Sequence, residues 1–268
     1  MKDKVVIITG GSSGIGKALA HEYGGKGAKI VVTGRRQAPL DQTVEELQQA
    51  GIEAYAIQAD ASIEDDNKRM AALTIEKYGR IDVLINNAGI SMRALFEDLD
   101  LAVIKKVMDI NFWGVVYATK YCLPSIIEHK GSIIGISSIA GYRGLPARAG
   151  YSASKFALNG FLEVLRTEML KKGVHILTAC PGFTASNIRN EALSSDGSKQ
   201  GESPRDEGKM MTAEECAARI YRANQKRKKI LILTTQGKLT VFLNKLFPSM
   251  MDKIVYNHMA KEADSPFK

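Results

Sequence analysis

Seven short, apolar runs rich in β-branched residues recur along this chain, separated by segments of helical period, and that alternation admits few folds. The runs lie at residues 5–8, 29–33, 53–58, 83–86, 132–137, 175–180 and 230–233. Amphipathic stretches occupy 17–24, 39–50, 64–78, 101–127 and 153–171. Strands joined through helices pair in parallel, with right-handed crossovers that place helices on both faces of the sheet. The strand runs are mostly apolar and do not alternate, as strands buried on both sides should be. The pattern predicts an α/β chain with a single doubly wound parallel sheet of about seven strands. With 268 residues and 45% hydrophobic content, one such domain has enough apolar surface for a full core.

Several classes are disfavoured early. The first strand run begins almost at Met1, so a cytoplasmic chain without signal peptide or N-terminal anchor is the expectation. No stretch approaches the ~20 apolar residues of a spanning helix. Cys122, Cys180 and Cys216 are isolated and odd in number, reading as reduced thiols. His21, His129, His175 and His258 show no ligand spacing, so no metal site is expected. Residues 219–268 carry 11 Lys and Arg against 3 Asp and Glu, so the whole net charge of +8 sits in the last fifth. Nucleic-acid binding would have to rest on that tail, and none is expected.

Two regions stand apart from the alternation. Residues 184–211 are polar, centred on Ser194-Ser-Asp-Gly-Ser198, and end at Thr212-Ala-Glu-Glu215, a capping box that should start a helix. A flexible substrate lid is one reading and a plain disordered insertion the other. The second region is 238–268, a basic amphipathic extension beyond a catalytic domain at 1–237. Apolar residues recur there at helical spacing from Leu239 to Met259, Lys238, Lys245, Lys253 and Lys261 share a face, and Pro248 should split two helices. That face suits either a peripheral membrane contact or packing on the domain or a sister subunit.

Chemistry enters with a glycine-rich turn. Thr9-Gly-Gly-Ser-Ser-Gly-Ile-Gly16 follows the first strand and opens the first helix, the position from which backbone N–H groups cradle a pyrophosphate. At the end of the second strand, where an acidic residue would hold a ribose 2′-hydroxyl, stand Arg35 and Arg36. Two guanidiniums and no carboxylate favour a 2′-phosphate, hence NADP(H), against the bland alternative of a solvated basic turn. Further on, Tyr151-Ser-Ala-Ser-Lys155 places a phenol and an ammonium on one helix face. A nearby cation should draw the phenol pKa down toward the working range.

Taken together, these residues resemble the short-chain dehydrogenase/reductase family over residues 4–190, and more loosely its membrane-associated, hydroxysteroid-dehydrogenase-like subgroup. The resemblance implies a Rossmann-type fold and assigns roles residue by residue. Gly10, Ser12, Ser13, Gly14, Ile15 and Gly16 form the cofactor turn. Asp60 and Ala61 meet the adenine, and Asn87, Ala88 and Gly89 border the cofactor. Pro181, Gly182, Thr184 and Ser186 lie beneath the nicotinamide. Asn111, Ser138, Tyr151 and Lys155 are the catalytic set. Tyr151 is the general acid, Ser138 holds the carbonyl oxygen, and Lys155 also binds the nicotinamide ribose. Asn111 holds a water that links Lys155 to solvent. Ser13 stands where some NADP-dependent members carry a basic residue, which shifts phosphate recognition onto Arg35. The family also implies a homodimer or homotetramer.

The resulting expectation is an oxidoreductase that reduces a ketone or aldehyde with NADPH. Tyr142, Leu145 and Phe183, with Met92, Met210 and Met211 as further walls, favour a lipophilic substrate. Readings from other classes are a non-catalytic NADP-binding sensor or scaffold, and a membrane-surface protein on the same fold.

Overall fold

The computed structural model describes residues 1–182, 184, 188–201, 210–261, 265 and 267. Seven parallel strands form one sheet: β1 (Val5–Thr9), β2 (Lys29–Gly34), β3 (Ala54–Gln58), β4 (Val83–Asn86), β5 (Ser132–Ile136), β6 (His175–Cys180) and β7 (Ile230–Ile232). Their order is β3-β2-β1-β4-β5-β6-β7. The chain therefore leaves β1 toward one edge and returns beside it as β4. That reversal opens a crevice at the C-terminal ends of β1 and β4.

The five inner strands bury both faces along most of their length, while the edge strands β3 and β7 are partly exposed. Val6, Ile8, Ile30 and Val32 pack under helix α1 (Gly14–Gly24) and α7 (Ala213–Gln225), with α2 (Gln37–Gln49) alongside. Ile7, Val31, Leu84 and Ile133 face the other way, onto α3 (Glu64–Tyr78), α5 (Gly114–Glu128) and α6 (Ala149–Glu168). Successive strand residues thus serve two cores. Local signals set the helix ends. Glu64, Asp65 and Asp66 occupy the first turn of α3, and Gly79 at φ 73° terminates it. The Thr212 side chain accepts a bond from Glu215 N at 3.1 Å and starts α7, as its capping box predicts.

Just before β4, Asp82 joins strand to loop. Its carboxylate, 3% exposed, accepts from Val5 N at 3.0 Å, from Lys4 at 2.9 Å and from Arg80 at 2.8 and 2.6 Å. Burial alone would raise its pKa, but the bonds from Arg80, Val5 and Lys4 outweigh burial and hold it below the usual carboxylate value. A depressed folded pKa gives stability that is present above the unfolded value and lost as pH falls through the folded one. Asp82→Ala should cost about 2–4 kcal/mol at pH 7. Urea unfolding should show the gap to wild type narrowing as acid protonates Asp82.

The structure refines three expectations. The single helix expected at 101–127 is broken into α4 (Leu101–Met108), one π-helical turn over Asp109–Trp113, and α5. The part of the expected flexible lid at 188–201 is docked. Ala192 and Leu193 are buried, Leu193 with Met92, Ala94, Leu99 and Val103. Leu193 also exchanges backbone bonds with Ser91 and Arg93 at 3.0 and 2.8 Å. An apolar pair inside a polar stretch supplies the anchor. Finally, the C-terminal extension begins earlier than residue 238 and lies against the domain. Helices α8 (Thr235–Leu246) and α9 (Pro248–Ala260) form a hairpin with Pro248 at the first turn of α9. Arg143 grips Asn244 at 3.1 Å and Asp252 at 2.6 Å, while Asn244 donates to the Tyr142 carbonyl at 3.0 Å. Met251, Val255 and Met259 pack against Leu145. The opposite faces leave Leu239, Phe242, Leu246, Phe247 and Met250 exposed. None of the described helices is long and apolar enough to cross a membrane.

Candidate active site

The glycine turn sits over the crevice and is held there by the β4 end. Thr9 Oγ1 accepts from the Asn87 and Ala88 amides, both at 3.0 Å, and Asn87 Nδ2 donates to the Thr9 and Gly10 carbonyls, both at 3.0 Å. Gly10 adopts φ +65°, and a Cβ there would meet Ala88 Cα at 2.9 Å; one on Gly16 would overlap the Gly10 carbonyl. Only glycine fits at these two points. Helix α1 starts behind the turn without a side-chain cap and without an acidic residue in its first turn. Its N–H groups and positive dipole end therefore suit an anion.

One cavity of about 470 Å³ runs from this turn across the sheet ends. Ser12, Ser13, Gly14 and Ile15 line it, Arg35 and Arg36 stand at its far end with Asp60 and Ala61, and Asn87, Ala88 and Gly89 border its middle. Pro181, Gly182 and Thr184 close the side nearest β6. The cradle, the helix end and the cation pair fit a nicotinamide dinucleotide. Phe183 and Ser186 lie outside the described residues.

The reactive groups meet at the opposite end. Ser138, in extended conformation after β5, accepts from Ala140 N at 3.1 Å and lines the cavity beside Tyr151, whose ionised phenol it favours. Lys155, one turn further along α6, is buried; its ammonium donates to the Ile136 carbonyl at 2.9 Å and lies 5.7 Å from the Tyr151 ring centroid. Burial lowers the lysine from 10.5 to about 8. Burial also pushes the phenol above its ordinary value, against Ser138 and the charges of Arg148 and Arg189. Here the expectation of a phenol drawn down by Lys155 is corrected: removal from water outweighs the opposing groups, and those that oppose it are Ser138 and the two arginines.

Asn111 lies in the π-helical turn, fully buried, and its amide is committed to protein groups. Its Oδ1 accepts from Ile90 N at 2.8 Å, and its Nδ2 donates to the Ile90 carbonyl at 2.9 Å and to Ser154 Oγ at 3.0 Å. These bonds tie the loop bordering the cavity to α6, directly beside Lys155. Tyr142 is not among the cavity-lining residues; its hydroxyl lies near Cys180, and burial raises it to about 12. Leu145 does line the cavity, whereas Met92 is wholly buried among the residues that anchor the 188–201 segment. Sequence reasoning missed much of the remaining wall, including Arg148, Ile188, Arg189, and Met251, Val255 and Met259 of α9. The four-residue spacing of those last three was the signal available, and Arg148 stands one turn before Tyr151. No cluster of metal ligands occurs among the described residues.

With this geometry in hand, comparison with known proteins is informative. A family model described as short chain dehydrogenase matches residues 4–197. Dehydrogenase/reductase SDR family member 7B of Mus musculus is 34% identical over 271 residues, spanning 99% of this chain and 84% of that protein. The 11-beta-hydroxysteroid dehydrogenase 1A of Arabidopsis thaliana is 41% identical over 187 residues, 69% of this chain and 53% of that one. Among solved structures, a short chain dehydrogenase/reductase from Burkholderia phymatum in complex with NAD superposes with a TM-score of 0.84. It covers 93% of this chain and 95% of the other at 22% identity, a likeness of fold.

Proposed function

Because this chain belongs to the short-chain dehydrogenase family, we propose that it reduces a ketone or aldehyde to an alcohol with NADPH, using Tyr151 as general acid. The observation that carries the reading is the shared cavity: the Ser138–Tyr151 pair and buried Lys155 lie in the same space as the glycine turn. When bound, the dinucleotide supplies the hydride. The chain does the rest. Ser138 and Tyr151 hold the carbonyl oxygen, and Tyr151 gives it a proton as negative charge grows there. Lys155 places a positive charge beside the nicotinamide end, and Asn111 acts as a positioning residue by fixing the Ile90 backbone against α6. A panel of carbonyl compounds assayed for NADPH oxidation tests the reading; activity on none, with the coenzyme bound, would refute it.

The preference for NADPH rests on Arg35 and Arg36 at the cavity end. A guanidinium–phosphate bond is charge-assisted and bidentate, so Arg35→Ser should weaken NADPH binding by roughly ten- to hundredfold. NADH affinity should change little. Fluorescence titration of both coenzymes against wild type and variant checks this, and equal affinities in wild type would rule out the assignment.

Two partner assignments accompany the reaction. Trp113, Phe156 and Val164 are exposed around α5 and α6 and support a homo-oligomer built on those helices, readable by light scattering. The outer face of the α8–α9 hairpin carries Leu239, Phe242 and Leu246 beside Lys238 and Lys245. A second copy would bring like charges together, whereas an anionic bilayer complements them, which favours a peripheral membrane contact. Sedimentation with phosphatidylserine vesicles should be lost in the variant Phe242→Ser/Leu246→Ser; unchanged sedimentation would remove this surface from consideration.

A further inference from the structure

A second concavity, of about 210 Å³, opens beside the edge strand β7 and shares no lining residue with the active-site cavity. Ala223, Leu231, Ile232 and Leu233 supply the apolar part of its lining. Arg219, Arg222, Lys226, Lys228 and Lys238 supply five cations, and no carboxylate lines it among the described residues.

The arginines are already engaged. Arg219 donates from Nη1 to the Leu233 carbonyl at 3.0 Å and from Nη2 to Glu215, and Arg222 donates from Nε to the Ala218 carbonyl at 3.1 Å. Both are therefore fixed parts of the wall. The three lysines are exposed, and their ammoniums make no hydrogen bond, ion pair or ring contact with any described residue. Backbone bonds set their places instead. Lys226 is the C-cap of α7, its N–H bonded to the Arg222 carbonyl at 3.1 Å. Arg227 takes φ 48° and donates to the Gly173 carbonyl at 2.9 Å, outside the concavity. Lys228 N then returns to the Ala223 carbonyl at 2.9 Å, so Lys226 and Lys228 line one space. Lys238 reaches it from the start of α8. The C-terminus of α7 carries about half a negative charge, which accounts for one cation there and not for five. Like charges gathered over apolar surface repel one another, and a bound anion relieves that repulsion.

The cationic lining is continuous with an apolar strip. Lys238, Phe242 and Leu246 follow at four-residue intervals on α8, hence on one face, and both apolar side chains are exposed. We infer that the concavity binds a phosphate monoester, the headgroup of an anionic lipid whose chains lie along Phe242 and Leu246. A monoester carries about −1.5 to −2 charges and three terminal oxygens at neutral pH, which suits three lysines better than a singly charged carboxylate or diester. The site is independent of the reductase reading. Its lipid source rests on the membrane contact proposed for the hairpin.

Sedimentation of the NADPH-loaded protein, in which the Arg35 and Arg36 end is filled, tests the inference. The vesicles are phosphatidylcholine with phosphatidic acid, or with phosphatidylserine at matched surface charge. Phosphatidic acid should be favoured roughly tenfold, and Lys228→Gln/Lys238→Gln should erase most of that ratio. Lys245→Gln, on α8 but outside the concavity, should weaken both equally. Equal binding at matched charge overturns the inference, as does a preference that survives Lys226→Gln/Lys228→Gln/Lys238→Gln. Calorimetry identifies the source. Glycerol 3-phosphate should bind at least roughly tenfold more weakly than dioctanoyl phosphatidic acid, for want of chains on the apolar strip. Equal affinity keeps the monoester site and removes the lipid as its occupant. Glycerol 3-phosphate affinity should be unchanged in Phe242→Ser/Leu246→Ser; its loss there would overturn the placement. Lysine-dependent binding of glycerol 3-phosphate without sedimentation on any vesicle removes the membrane reading and leaves the phosphate site standing.

Discussion

Tyr151→Phe should lower kcat/KM for carbonyl reduction by roughly 10²–10⁴-fold, the usual worth of a placed general acid. The loss should be confined to chemistry. The glycine turn, the α1 terminus and Arg35 lie at the other end of the cavity, so NADPH should still titrate the variant. The direction of the phenol shift adds a second readout. Burial holds the group above its ordinary pKa, so the acid form needed for reduction persists through neutral and mildly alkaline pH. Wild-type reduction should therefore stay flat with pH until deprotonation sets in, while alcohol oxidation, which needs the base, should climb. Stopped-flow transients in both directions would show this. Wild-type turnover by Tyr151→Phe would eliminate the phenol as the acid.

Lys155→Met should raise stability while abolishing activity. A lysine held at about 8 against 10.5 marks a buried charge that the fold tolerates at a cost. The difference corresponds to roughly 3 kcal/mol at neutral pH. Methionine would forfeit the bond to the Ile136 carbonyl, worth about 1 kcal/mol, leaving a net gain of about 1–2 kcal/mol. The sign fixes the pH window. Below pH 8 the folded protein bears the full penalty; between 8 and the unfolded value it sheds the proton that the unfolded chain retains, so the wild type closes the gap. Urea unfolding at pH 7 and pH 10 would show the variant ahead only in the first. A variant less stable at pH 7 would mean that the ammonium's bonds outweigh its desolvation.

The sequence made the scaffold readable because its signals were local. Most of the seven strands announce themselves by β-branched runs, Thr212 announces α7 through its hydroxyl and the glutamate three residues on, and Pro248 divides the C-terminal helices. Gly10 and Gly16 could be placed because their backbone geometry excludes other residues. What escaped depends on long-range packing. Nothing local to residues 184–211 says that Leu193 will drop between Met92 and Val103. Tyr142 follows Ser138 closely in sequence, yet it turns toward Cys180. The amphipathic tail announced an apolar face without saying what would cover it, and the structure divides its apolar residues between an inner set on Leu145 and an outer set left bare. Arg148 and Arg189 are 41 residues apart, so their convergence on the phenol had no sequence signature.

The wall contributed by α9 separates two decisions along the polypeptide. The glycine turn, Arg35 and the reactive set that line the cavity all precede residue 190, whereas Met251, Val255 and Met259 reach it from α9. Under the proposed function, selectivity therefore resides in a segment separate from the one expected to bind the coenzyme. Grafting residues 235–260 between relatives, with Arg143 and Leu145 as the matching seat, should exchange what is accepted while hydride donation stays the same. Proteolytic trimming of that hairpin would leave a coenzyme-binding protein with an open, indiscriminate mouth.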